Sequence, residues 1–106
     1  MFIALEVRGR FGVLVVDKQN TIFKYTLDVK DTQAIEMPKN AKILTVKTQH
    51  GHVRLWALVN KLESKLETRK IAIYGTGNPI SENCGEYIAT FQLYDGDLVF
   101  HAFEVN

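Results

Sequence analysis

"AKILTVKTQHGHVRLWALVN", residues 41–60, decides the fold. Runs rich in β-formers lie on both sides of Gln49-His50-Gly51-His52, with Lys42, Thr45 and Arg54 each set between apolar residues. A period of two is the signature of a strand, because successive side chains point to opposite faces. A glycine between two such runs marks a hairpin. We read strands over roughly 41–48 and 53–60.

The same period extends in both directions. Phe23, Tyr25, Leu27 and Val29 alternate with Lys24, Thr26 and Asp28, which predicts a half-buried strand. Pro38 predicts a turn after a short strand near 33–36. "GEYIATFQLYDGDLVFHAFEV", residues 85–105, predicts a second hairpin about Asp95-Gly96, a pair suited to the positive φ angles of a type I′ turn. Its first strand is expected to set Tyr87, Ala89, Phe91 and Leu93 on one face. Residues 60–68, "NKLESKLET", are the one helical candidate, since Leu62 and Leu66 lie four apart, as do Glu63 and Glu67. At the N-terminus, strands near 2–8 and 12–17 form a hairpin extension over residues 1–20. The expected fold is all-β: a small antiparallel sandwich or barrel of about 7–9 strands with at most one short helix near 60–68.

At 106 residues the chain suits a single domain, 1–106. A formal net charge of +1 gives no whole-chain field for nucleic acid or an acidic membrane. Cys84 is the only cysteine, which excludes an internal disulfide and fits a reducing compartment. The uncharged apolar runs at the N-terminus, Met1 to Leu5 and Phe11 to Val16, are too short for a leader. A soluble, unprocessed, cytoplasmic protein without a membrane partner is the expectation.

Two strands carry apolar groups on both faces. In "VRLWALV" the second face holds Trp56 and Leu58 beside Arg54; in "LVFHAFEV" it holds Val99 and Phe103 around His101. A solvated sheet face is normally polar. The surplus predicts a covering element, either the N-terminal segment or a second copy of the chain in a homo-oligomer.

Catalytic patterns are sparse. "IYGTGNPI", residues 73–80, has glycines but no Gly-Lys-Ser/Thr, and no helix follows to receive a phosphate. It reads as a strand ending in a turn that presents Tyr74, Thr76 and Asn78. His50 and His52 flank a hairpin glycine without acidic or cysteine ligands nearby, so no metal is expected. Cys84, Ser64 and Ser81 lack a nucleophile's surroundings. No enzyme activity and no cofactor are expected. Arg54, Trp56, Arg69 and Tyr74 are residue types that anchor binding interfaces and stack on nucleotides. With Thr76 and Asn78 they form the candidate ligand- or partner-binding set.

From Thr21 onward the chain resembles a family of small bacteriophage and prophage proteins. The resemblance rests on "TIFKYTLDVKDTQAIEMPKNAKILTV", "LWALV", "IYGTGNPI" and "GEYIATFQLYDGDLVFHAFEV". It implies a phage accessory protein in an infected bacterial host, binding a host protein or a small nucleotide-like ligand to blunt a defence system. The runner-up is a minor virion decoration or attachment protein.

Overall fold

The computed structural model describes the backbone of residues 3–8 and 11–16 and, in full, residues 18–106. It is all-β. Strands β1 (Ile3–Arg8) and β2 (Phe11–Val16) pair antiparallel as an N-terminal hairpin. The seven strands that follow are β3 (Asn20–Leu27), β4 (Thr32–Pro38), β5 (Lys42–Gln49), β6 (His52–Asn60), β7 (Leu66–Gly75), β8 (Glu86–Leu93) and β9 (Leu98–Val105). They make two antiparallel sheets, one in the order β3-β6-β5 and one in the order β4-β7-β9-β8.

The sheets bury their alternating apolar faces against each other. From the three-stranded sheet come Leu27, Val46, Val53, Leu55, Ala57 and Val59; from the four-stranded sheet come Met37, Ile71, Ile73, Phe91 and Ala102. Met37, Val46, Leu55, Ala57, Ile71 and Ala102 are completely buried. In β6 the alternation is complete, with Val53, Leu55, Ala57 and Val59 inside and Arg54, Trp56, Leu58 and Asn60 half-buried outside. Burying each of the larger side chains contributes about 1.5–3 kcal/mol.

The turns follow their residues. His50 and Gly51, with φ of 51° and 78°, form the two-residue link of the β5–β6 hairpin, whose last pair is Gln49 with His52. Asp95 and Gly96, with φ of 55° and 93°, occupy the centre of the turn closed by Asp97 N–H donating to Tyr94 C=O. These positive pairs suit the type I′ turn, whose twist matches that of the strands it joins. Pro38 closes β4, an outer strand of its sheet, where a missing ladder donor is tolerated.

Two sequence expectations change. Residues 60–68 form no helix: a turn at Lys61-Leu62 leads into β7, and Leu66, Glu67 and Thr68 pair with Pro38, Met37 and Glu36. An isolated helix of this length is marginal in water, whereas extension of β7 completes a ladder. Tyr87 does not share a face with Ala89, Phe91 and Leu93. The β8–β9 register shifts between Tyr87 and Ala89, which turns Tyr87 toward Phe103 on the opposite face.

A second bulge lies in β5, where the register shifts between Ile43 and Thr45. Both bulges thus fall on edge strands, β5 and β8, which approach one another across the sandwich seam. The ladder does not continue from one to the other, so the architecture is a sandwich rather than a closed barrel. At the seam the Thr48 hydroxyl donates to the Gln92 carbonyl.

Candidate functional site

The six residues singled out in the sequence fall into three places. Arg54 and Trp56 point outward from β6, the central strand of the three-stranded sheet. Tyr74 points outward from β7 on the four-stranded sheet, and Thr76 and Asn78 lie in the turn beyond it. Arg69, also on β7, sits at one end of the sandwich with its guanidinium turned toward Ala41 and Glu104. No single concavity unites them in one chain.

Arg69 is occupied from within. Its Nη1 donates to the Ala41 carbonyl at 2.7 Å and to Glu67 Oε1 at 3.2 Å. Its Nη2 donates to Glu104 Oε1 at 3.0 Å, and Nε donates to the other Glu104 oxygen. The hydrogen bond to Glu104 raises the guanidinium above its ordinary value; burial opposes this, and the charges of Glu104 and Glu67 add to it. This arginine closes the end of the core instead of offering donors to a ligand.

Tyr74 belongs to an aromatic row. Its ring meets Phe103 edge-on, with centroids 5.7 Å apart and planes at 76°, and Tyr87 meets the other side of Phe103 at 5.6 Å and 72°. Such edge contacts are favoured because the ring edge is electropositive and the face electronegative. Tyr87 is 59% exposed.

Beside this row runs a chain of hydrogen bonds. Tyr87 OH and Thr90 Oγ1 are 2.7 Å apart, Thr90 Oγ1 and His101 Nδ1 2.9 Å, and His101 Nε2 and Thr76 Oγ1 2.7 Å. Thr76 Oγ1 also donates to the Val99 carbonyl at 3.2 Å. With that donor committed, Thr76 accepts from His101 Nε2–H, and Nδ1 accepts from Thr90. His101 is therefore an orienting residue on the outer face, held between two threonines.

The turn after β7 spans Gly75 to Asn78, with Asn78 N–H donating to Gly75 C=O at 3.1 Å. Gly77 takes φ of 88°, the left-handed value a glycine tolerates at that position. "YGTGNP" is thus a strand-end turn. It fixes Thr76 against His101 and leaves Asn78 exposed.

An open cleft of about 900 Å³ lies where the β5–β6 and β8–β9 hairpins flank the end of β3. Asp28, Asp95, His52 and Lys47 line it, a mixed set without a basic cluster for phosphate. His50 and His52 sit at the β5–β6 tip, far along the chain and on the other sheet from His101. Among the described residues, no three of His, Cys, Asp and Glu gather as a metal site, and no helix is long and apolar enough to cross a membrane.

Sequence reading missed Tyr87 and Thr90 as members of the Tyr74 face. The available signal was Ile88, an apolar residue that breaks the alternation with Thr90 and Gln92 and marks the bulge.

A model of a family described as a domain of unknown function, DUF7352, matches residues 18–106. The chain belongs to the DUF7352 family. The matched segment holds both sheets of the sandwich, and begins just before β3, so the β1–β2 hairpin stands outside it. No curated protein and no solved structure matches this DUF7352 chain.

Proposed function

We propose that the protein is a non-catalytic, phage-encoded binding protein that blocks a host defence protein in the cytoplasm of an infected bacterium. The observation that supports this reading is the outer face of the four-stranded sheet. Tyr74, Phe103 and Tyr87 form a partly exposed aromatic row there, with His101 and its threonines alongside. A face of this kind, broad and aromatic, suits a protein partner, because tyrosines supply large contact area at small entropic cost. The phage setting comes from the sequence resemblance beginning at Thr21.

Sequestering a nucleotide signal is the weaker form of the reading. It asks arginine and aromatic side chains to converge on one concavity. Arg54 and Trp56 stand on one sheet, Tyr74 and Thr76 on the other, and the Arg69 guanidinium already has internal partners.

The test is phage plating on a bacterium that carries the relevant defence system and expresses this protein. Wild type should restore plaques, and Tyr87→Lys should lose the effect while keeping cooperative unfolding and the wild-type β circular-dichroism spectrum. An aromatic anchor of the hot-spot kind is worth at least about 2 kcal/mol, roughly a 30-fold loss of affinity. Full rescue by Tyr87→Lys would overturn the assignment of this face. Recovery of the protein from purified particles would favour the virion reading instead.

A further inference from the structure

The net charge of the chain hides a segregation of charge on the fold. The outward positions of the three-stranded sheet form cross-strand rows. Lys47, Arg54 and Thr26 make one row, Thr45, Trp56 and Lys24 the next, and Lys42, Leu58 and Ile22 the third. These rows carry Lys24, Lys42, Lys47 and Arg54 and no aspartate or glutamate. Among the described residues, carboxylates enter at the margins, Asp28 in the cleft that Lys47 also lines and Glu86 in a depression that Lys42 also lines.

Trp56 lies at the centre of this cationic face. It is half-buried, and its cross-strand neighbours are Lys24 and Thr45. Strands are about 4.8 Å apart and successive outward residues about 7 Å apart, so the four cations frame a field of roughly 10 by 14 Å around the indole. The lysines are exposed, and Lys24 Nζ donates to Gln49 Oε1 at 3.1 Å. Arg54 donates to the Thr26 hydroxyl, which holds its guanidinium against the sheet next to the indole.

We propose that this face binds single-stranded nucleic acid, with one base stacked on Trp56 and the flanking phosphates held by Lys24, Lys42, Lys47 and Arg54. An aromatic plate ringed by cations is what an unpaired base and its two phosphates require: every base offers a π-face, and the backbone supplies the charge. An acidic polypeptide would also answer the lysines, but it has no use for a flat ring at their centre. Phosphate contacts dominate affinity, so binding depends on salt; base stacking adds a sequence-tolerant component. The inference is independent of the host-protein reading, which rests on the opposite sheet.

Trp56 is the only tryptophan, so its emission reports this face directly. The experiment is titration of the full chain with oligo-deoxythymidylate and oligouridylate of about ten residues at several salt concentrations. We expect quenching of the emission and a slope of log K against log salt near −2 to −3, from three or four phosphates at about 0.7 each. Lys24→Gln with Lys47→Gln, two exposed positions, should flatten the slope by about 1.4. Trp56→Ala should weaken binding by roughly 5- to 150-fold, followed by anisotropy of a labelled oligonucleotide. If that variant does not fold, the lysine pair still decides the matter. The absence of quenching at low salt, quenching that salt does not alter, an unchanged slope in the lysine variant, or equal quenching by polyglutamate would overturn the proposal.

Discussion

Gly85 sets the tightest constraint on a single residue. Its φ is 87°, and a Cβ at this position would stand 1.9 Å from the Glu104 carbonyl oxygen. The close approach lets the chain enter β8 directly against β9. Gly85→Ala should destabilise by about 1–2 kcal/mol from backbone conformation alone, and by more once β9 is displaced. Gly77 has φ of 88° but open space around it. Gly77→Ala should therefore cost only about 1–2 kcal/mol, the penalty of a left-handed residue with a side chain. Urea midpoints of the two variants would separate sterics from conformation; equal losses would contradict the tight approach of Gly85 to Glu104.

Tyr25 supplies a residue-scale prediction in pH. Its ring packs against the core, and burial raises its phenol above the ordinary value of 10.0. A raised phenol means the folded state favours the neutral form. Its stabilising contribution is complete below the ordinary value and is lost as pH rises through the folded one. Tyr25→Phe should flatten the fall in stability between about pH 9 and pH 11. Denaturant midpoints of wild type and variant, measured across that range, would check it; parallel curves would refute it.

At the scale of elements, alternation made β6 legible. The pattern in "VRLWALV" placed Val53, Leu55, Ala57 and Val59 on one face, and all four are buried in the core. Leu55→Ala should cost about 2–5 kcal/mol, and Leu58→Ala, one face removed, about 1 kcal/mol or less. Denaturation curves for the two would measure the contrast. What alternation could not show is a change of phase. Lys42 and Lys47 lie five apart and would occupy opposite faces of a regular strand. The β5 bulge brings them to the same face. Tyr87 and Thr90 lie three apart and share a face only because of the bulge in β8. A one-residue slip exchanges the two faces of every residue beyond it. Both surfaces that carry functional readings are therefore composed by bulges, which a period of two does not announce.

Strand assignment to sheets was equally out of reach. Arg54, Trp56, Tyr74 and Thr76 looked like one set because their residue types suit one chemistry. Which sheet a strand joins depends on pairings between residues distant in sequence. The Arg69 clasp is such a case, since Glu104 lies 35 positions away. Removing Arg69 strands two carboxylates near the core end. Because the Arg69 and Glu104 side chains retain 19% and 21% exposure, the Arg69→Met loss should be about 1–3 kcal/mol, below the roughly 3–5 kcal/mol of a fully buried pair. A double-mutant cycle with Glu104→Gln would measure the coupling; strict additivity would show that the pair contributes nothing.

At the scale of the whole molecule, the two sheets from Asn20 onward enclose a core from Leu27 to Ala102. A chain beginning at Lys18 should unfold cooperatively and keep its β circular-dichroism spectrum, since the matched family segment begins there. A broad, non-cooperative transition would show that the N-terminal hairpin is needed for the fold.

The outward faces of the two sheets point away from each other, with the layer of core side chains between them, about 10 Å of sheet separation. Occupants of opposite faces would not exclude one another, and neither would have to leave for the other to arrive. A partner docked on the tyrosine face would be tethered to whatever the lysine face held, at an effective concentration near the millimolar range. Such a molecule would act as a bridge. Its occupancies would multiply instead of competing, and saturating one face should leave the titration of the other unmoved.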